Sequence, residues 1–362
     1  MRKWLKLLSG CLCLYVSVLA QDKSSGQFPV PETAPPIVKH AFQFLKTEND
    51  TNYIEDHTKD ITFRLFGTRK YNYYDIVDRK RDQEVLYRPN TPFNLGFGVN
   101  YKFVGVNLAF NLPFINKEDK YGKTRGLDLQ THFYARKIVV DFYGQFYKGY
   151  YISNSRGLIN GIATEQQSKP IIRPDIDNLT LGLCIQYILN DRKFSYRAAY
   201  LQNDYQKKSA GSFIVGAEVF GVRMKGDSSI IPGNLSKSDF FDNRGFDRTG
   251  VISAAVSAGY AYTLVLNKHF FLTLSLTGSI GPNYTTLSLT PENTKIKKVG
   301  LQLNNMERVS LGYNSSRYFA GIHYVNLTMR STSPVPDTYL RVGAGDFRVS
   351  VARRFKLKKK LF

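Results

Sequence analysis

The sequence predicts an all-β fold: a single antiparallel transmembrane β-barrel. Three observations predict it. Apolar and polar residues alternate with a period of two over segments longer than the strands of ordinary soluble sheets. On Thr91–Lys102, for example, Phe93, Leu95, Phe97, Val99 and Tyr101 share one face, and Asn94, Gly96, Gly98 and Asn100 share the other. The faces opposite the apolar ones are too polar to form a packed soluble core. A leader of the export type precedes all of it, and no later stretch is long and apolar enough for a spanning helix, so a membrane-embedded chain of this kind must cross with strands.

The leader is residues 1–20. Arg2, Lys3 and Lys6 make a basic start, Leu7–Ala20 is apolar apart from a few small polar residues, and Val18-Leu19-Ala20 precedes Gln21 as a small-residue cleavage site would. A membrane anchor and a lipidated Cys11 are the alternatives; apolar residues continuing past Cys11 disfavour lipidation. Cleavage would remove Cys11, Cys13 and Trp4, leaving Cys184 as the lone cysteine, which excludes an internal disulfide framework and a cysteine zinc site. The formal charge of +21 would fall to +18 with the three leader cations. Nucleic acid is the reflex partner of so basic a chain, but export and period-two patterning argue against it. Anionic lipid, or a small anionic solute in a basic lumen, fits better. The 24 Tyr and 25 Phe suit either an interfacial aromatic girdle or simple strand-filling.

Residues 21–57 read as a periplasmic lead-in, carrying Pro29, Pro31, Pro35 and Pro36. The barrel is assigned to 58–362. Its first strand is Lys59–Gly67, with Tyr71–Val77 extending or following it. Hairpins follow: Thr91–Lys102 with Phe103–Leu112, Gly126–Arg136 with Lys137–Tyr150, and Asn178–Leu189 with Lys193–Asn203, the last turning at Asn190-Asp191. Gly211–Met224 stands alone. Val251–Leu266 and Phe270–Ile280 turn at Asn267-Lys268, Val299–Tyr313 and Tyr318–Arg330 at Asn314-Ser315-Ser316, and Tyr339–Leu357 ends the wall. Short periplasmic turns alternating with long outer loops are the asymmetry of outer-membrane barrels. This reading yields an odd number of strands, which an even barrel forbids, so one strand is false or one is hidden near Ile230–Phe241. The expectation is about 12 strands, with 14 the alternative.

Some segments are more specific. Arg88-Pro89-Asn90-Thr91-Pro92-Phe93-Asn94-Leu95-Gly96-Phe97-Gly98, then Gly126–Gln130 with Asp141–Tyr151, and Gln206–Ser212, together resemble a bacterial outer-membrane family known only as domain of unknown function 4421. The resemblance runs from about Tyr53 to the C-terminus. It implies an exported β-barrel in the bacterial outer membrane and supplies no activity, substrate or catalytic residue. Phe362 resembles the terminal aromatic that the outer-membrane assembly machinery reads, although Lys358–Lys360 depart from that pattern.

Parity and register nominate lumen-facing residues. The tightest closure at Arg136 sets His132 opposite Asp141 and Asp128 opposite Gln145. This is either a functional charged pair or a hydrogen-bonded network holding register. Lys102, Arg197, Glu218, Arg223, Arg308 and Arg348 are further lumen candidates; Glu218 and Arg223 share a face only if a bulge at Gly221 slips the parity. None of the five histidines has a serine two residues away, the spacing that would put base and nucleophile on one strand face. No metal, cofactor or phosphate-loop motif occurs, so no catalytic, cofactor-binding or metal residue is assigned and no enzyme is expected. The functional expectation is a porin-like channel or transporter for small solutes. The alternatives are a structural or assembly protein binding outer-membrane lipid and lipopolysaccharide, or a lipid-modifying enzyme without a recognised motif.

Overall fold

A computed structural model describes residues 48–101, 104–111, 118–153, 170–233 and 239–357. The leader, most of the lead-in, Lys102 and the terminal Lys358–Phe362 lie outside the described residues. In chain order the elements are β1 (Ile54–Asp56), β2 (Ile61–Asp78), β3 (Gln83–Arg88), β4 (Asn94–Tyr101), β5 (Val104–Asn111), α1 (Glu118–Tyr121), β6 (Arg125–Asp128), β7 (Thr131–Tyr134), β8 (Ile138–Ile152) and β9 (Ile171–Ile188). They continue with α2 (Tyr196–Tyr200), β10 (Asp204–Gln206), β11 (Ala210–Lys225), β12 (Gly245–Leu266), β13 (Phe270–Thr290), β14 (Lys295–Asn314), β15 (Tyr318–Thr332) and β16 (Thr338–Phe355).

Fourteen of the strands form one antiparallel sheet, and pairing of β16 with β2 closes it. The closed ring runs β2-β3-β8-β9-β11-β12-β13-β14-β15-β16, ten strands. β4 and β5 are added on the Thr62–Thr68 half of β2, and β6 and β7 lie on β8. A ring of 12 is therefore not what closes. Tyr71–Val77 continues β2 instead of starting a strand, Gln83–Arg88 supplies a wall strand the sequence reading left in a loop, and Lys193–Asn203 is no strand at all. That last segment holds α2; with β3 gained, and with β4, β5 and the β6–β7 segment lying beside the closed ring instead of in it, the wall comes to ten.

The two ends of the wall, at Ile61 and Phe355, sit at one end of the ring, here the terminal end; Asp78 and Thr338 mark the distal end. The terminal end carries the tight turns at Asn267–His269 and Ser315–Arg317, and also the insert of residues 189–209 between β9 and β11. The distal end carries residues 226–244, between β11 and β12.

Parity separates two environments. Phe63 and Leu65 on β2, Ile252 and Val256 on β12, Leu274, Leu276 and Ile280 on β13, and Val349 and Val351 on β16 point outward and are exposed. Thr273, Ser275, Thr277 and Ser279, interleaved with the β13 residues, point inward and are buried. A soluble barrel would reverse this arrangement, because apolar surface leaves water spontaneously. The outer face carries one polar stripe across β14, β15 and β2, which satisfies itself: the Tyr71 hydroxyl donates to Asn326 Oδ1 (2.8 Å), Asn305 Nδ2 donates to Glu307 Oε1 (2.9 Å), and Tyr73 and Thr328 share a 3.0 Å bond. Gly343 and Gly345 lie beneath the Tyr73 and Tyr71 rings, where any Cβ would overlap the aromatic atoms.

Candidate functional site: the occluded lumen

The lumen is filled at three successive levels. At the terminal end the insert of residues 189–209 turns inward after β9. Ser195 caps α2, its hydroxyl accepting from Ala198 N (3.3 Å) and donating to Asp204 Oδ2 (2.6 Å). Beyond the helix, β10 pairs with β1, so a two-stranded piece of sheet sits across this end of the ring. The wall grips the insert through a buried cluster, in which Phe194, Tyr196, Ala199 and Tyr200 join Val139, Ile214, Phe271 and Phe319, and through the insert's backbone carbonyls. Arg354 donates to the carbonyls of Gln202 (2.8 Å) and Asp204 (3.1 Å) and to Asn314 Oδ1 (2.9 Å). Asn314 donates to the carbonyls of Ala198 (3.2 Å) and Asp204 (3.3 Å), and Asn100 to that of Leu201 (2.8 Å). Arg64 reaches Gln202 Oε1 at 2.5 Å. Carbonyls in a short irregular segment lack secondary-structure partners, so these donors satisfy groups that burial would otherwise leave unpaired.

The middle level is charged. Arg308 on β14 and Asp141 on β8 form a salt bridge and are 1% and 0% exposed. Asp141 also bonds His132 Nδ1 at 2.6 Å, and Arg308 donates to Gln186 Oε1 at 3.1 Å. Arg308 lies over the Tyr196 ring, 5.6 Å from its centroid, so the insert rests directly on this pair. Glu218 on β11 is held by Asn304 and receives the Cys184 thiol at 3.6 Å. A buried ion pair costs desolvation that only good geometry and further hydrogen bonds offset, and both are present.

The distal level is apolar. Tyr74, Ile76, Tyr87, Met224, Leu287 and Leu340 point inward from the wall and join Ile230, Ile231, Phe240 and Phe241 of the 226–244 segment in one buried cluster. The Tyr87 hydroxyl donates to the Ile230 carbonyl, and Phe241 N donates to Asp78 Oδ2 at 2.9 Å, fastening the segment over the mouth.

The residues nominated from sequence distribute as follows. His132 faces Asp141 in the β7–β8 register, and Asp128 faces Gln145 in the β6–β8 register. Asp128 accepts from Gln145 (2.8 Å) and the Tyr147 hydroxyl (2.6 Å) and pairs with Lys70 (3.2 Å). Glu218, Arg308 and Arg348 also face inward, Arg348 pairing with Asp346 at 2.7 Å. Two corrections are needed. Arg223 faces outward and pairs with Asp177 at 3.3 Å, because β11 keeps its alternation through Gly221 and no bulge slips it. Arg197 belongs to α2 in the insert, 3.7 Å from Asp204, and not to a wall strand. The cations of the lumen mostly face carboxylates or carbonyls, so its walls are paired and not simply basic.

Sequence reasoning missed the insert because Phe194, Tyr196, Ala198 and Tyr200 alternate as a strand would. The available signal was Ser195 three residues ahead of the Ala198-Ala199 pair, a helix cap before helix formers. It also missed the cross-strand pairing of His323, which bonds Ser310 at 2.9 Å and Ser350 at 3.0 Å. Inspecting only one strand cannot find such neighbours. Both ring nitrogens are taken by hydroxyls and the group is buried, so neither serine has a carboxylate-oriented base.

Residues 48–355 match the family described as a domain of unknown function, DUF4421. The chain belongs to this family. No curated protein matches. Among solved structures, the chain is similar to the outer membrane protease OmpT from Escherichia coli, at 8% identity and a TM-score of 0.36 over 83% of this chain and 98% of that one. It is similar to the translocator domain of the autotransporter NalP from Neisseria meningitidis, at 7% and 0.31 over 83% and 90%. It is also similar to the outer membrane protein OprG from Pseudomonas aeruginosa, at 10% and 0.21 over 83% and 97%. Values this low transfer no activity.

Proposed function

We propose that this DUF4421 protein is a bacterial outer-membrane β-barrel that passes small solutes through a gated lumen, in the closed state described above. Membrane residence is supported by the exposed apolar outer face set against a polar, hydrogen-bonded interior, the partition lipid imposes on a barrel wall. The short turns and both ends of the wall at the terminal end favour a periplasmic position for that end, with the distal end outside.

The observation that carries the gated reading is that inserted segments close both ends. Residues 189–209 block the terminal end, and residues 226–233 and 239–244 the distal end. Segments that enter from loops can leave; the middle level, closed by wall side chains around Arg308 and Asp141, opens only if those side chains also part. The insert is held by hydrogen bonds to its carbonyls, which water could replace, and by a buried cluster in which Phe194, Tyr196, Ala199 and Tyr200 join Val139, Ile214, Phe271 and Phe319 of the wall, which its release would expose. Solute charge is not set by a basic lining, since Arg308, Lys70 and Arg348 each face a carboxylate. No catalytic step is assigned to any residue. The second reading, a structural protein bound to anionic lipid, is favoured by the basic distal rim considered below.

Planar-bilayer recording tests the proposal. Wild-type protein is expected to show no steady conductance. A variant with both segments replaced by tight turns and the middle pair removed by Arg308→Ala and Asp141→Ala, and still migrating as a folded barrel, is expected to conduct. Steady wild-type current would contradict a closed lumen, and silence of that variant would remove the passage reading in favour of the structural one.

A further inference from the structure

The outer wall from β8 to β14 holds an apolar hollow of about 700 Å³. Leu181, Val219, Ile252, Tyr284 and Val299 line it, all outward-facing, and Gly221 forms its floor. A Cβ added at Gly221 would meet nothing within 4 Å, so the recess exists because no side chain fills it.

What lies beside the hollow follows from the register. One ladder row links Leu181, Gly221, Ile252, Tyr284 and Val299 across five strands. Two residues further toward the distal end, the same strands present Arg223 and Lys297. Two residues further again they present Lys225, Arg248 and Lys295, with Lys148 on β8 in the same row. Six cations therefore border the hollow on its distal side. The one carboxylate in these rows is Asp177, paired with Arg223. Lys148, Arg248, Lys295 and Lys297 are exposed. On the terminal side, the wall continues apolar through Ala217, Val256 and Ile280. An apolar recess in the hydrocarbon zone under a basic shelf at the interface is complementary to an acyl chain hanging from a phosphorylated headgroup.

We propose that this face is a specific binding site for a multiply phosphorylated, multiply acylated glycolipid of the outer leaflet, with an acyl chain in the hollow over Gly221 and phosphates on the Arg223–Arg248–Lys297 shelf. The proposal rests on the reading above that the distal end faces outward. The width of the shelf selects this occupant over a single-phosphate phospholipid. From β11 to β14 the cations span three strand spacings, roughly 14 Å at ~4.8 Å per strand, and β8 adds two more. One phosphate cannot engage that width; two phosphates on a disaccharide can.

The test is native mass spectrometry of the purified protein in detergent, titrated with a hexa-acylated, bisphosphorylated diglucosamine lipid or with phosphatidylglycerol. One saturable glycolipid per barrel is expected. The double substitution Lys225→Gln/Arg248→Gln and the uncharged change Gly221→Leu are each expected to weaken it about tenfold or more. Arg353→Gln, at the opposite end, should leave it unchanged. Heat-modifiable gel mobility reports folding, and Ile252→Ser replaces Gly221→Leu should that variant not fold. The proposal is overturned by equal binding of phosphatidylglycerol, by wild-type affinity in the hollow variants, or by the absence of saturable binding. Wild-type conductance bears only on the gated lumen, so the two readings fail separately; labelling that places residues 226–244 in the periplasm would reassign the orientation while leaving the detergent measurement intact.

Discussion

Arg308 and Asp141 sit at the centre of the lumen, and the surrounding polar groups are oriented by them. Breaking a buried pair on one side leaves an uncompensated charge, which costs about 3–5 kcal/mol. Arg308→Ala is therefore expected to lower the stability of the lipid-reconstituted barrel by about that amount in urea unfolding, while Arg308→Met combined with Asp141→Leu recovers most of it. Equal loss in the single and double variants would show that volume, and not charge, is what matters here. At this scale the sequence was most legible where a short hairpin fixed the register. The closure at Arg136 places His132 against Asp141 from sequence, because side-chain period two leaves few choices. It was least legible where a break in pattern had to be assumed: Arg223 was turned inward by a bulge at Gly221 that β11 does not contain. That Asp141 would meet Arg308, 167 residues away, was not readable, since nothing local encodes which strands face each other across a lumen.

Among the elements, the 189–209 insert is placed by polar bonds to its carbonyls together with the buried packing of its aromatic side chains. Arg354 and Asn314 hold three of its carbonyls, those of Ala198, Gln202 and Asp204. Hydrogen bonds from charged donors contribute about 1.5–3 kcal/mol each. Asn314→Ala with Arg354→Ala is expected to speed exchange of the Leu201 and Gln202 amides by about tenfold or more, with the strand amides of β13 unchanged. Uniform acceleration across the barrel would contradict local release. The strands themselves were legible only within the hydrocarbon-facing zone. β13 runs on to Thr290 and β14 begins at Lys295, where the sequence reading ended one strand at Ile280 and began the next at Val299. Beyond the apolar belt the alternation inverts, with Leu287 and Leu289 inward in the buried distal cluster and Thr286 and Ser288 outward, so the pattern stops reading as the same wall although the ladder continues.

For the whole molecule, the central claim is a barrel whose outside is hydrocarbon-facing and whose inside excludes water. Export patterning, strand length and polar inward parity made the barrel legible. Its closure was not, because the closing segments carry strand-like or loop-like composition and reveal themselves only against the opposite wall. Cys184 offers the most direct measurement. It is the sole cysteine of residues 21–362, faces inward at mid-barrel and is 1% exposed. Protein of residues 21–362 reconstituted in liposomes, treated from both sides with a small water-soluble thiol reagent, is expected to remain unlabelled until it is unfolded. Rapid and complete modification of Cys184 in the folded, membrane-inserted protein would mean that water fills the lumen, and would contradict the account.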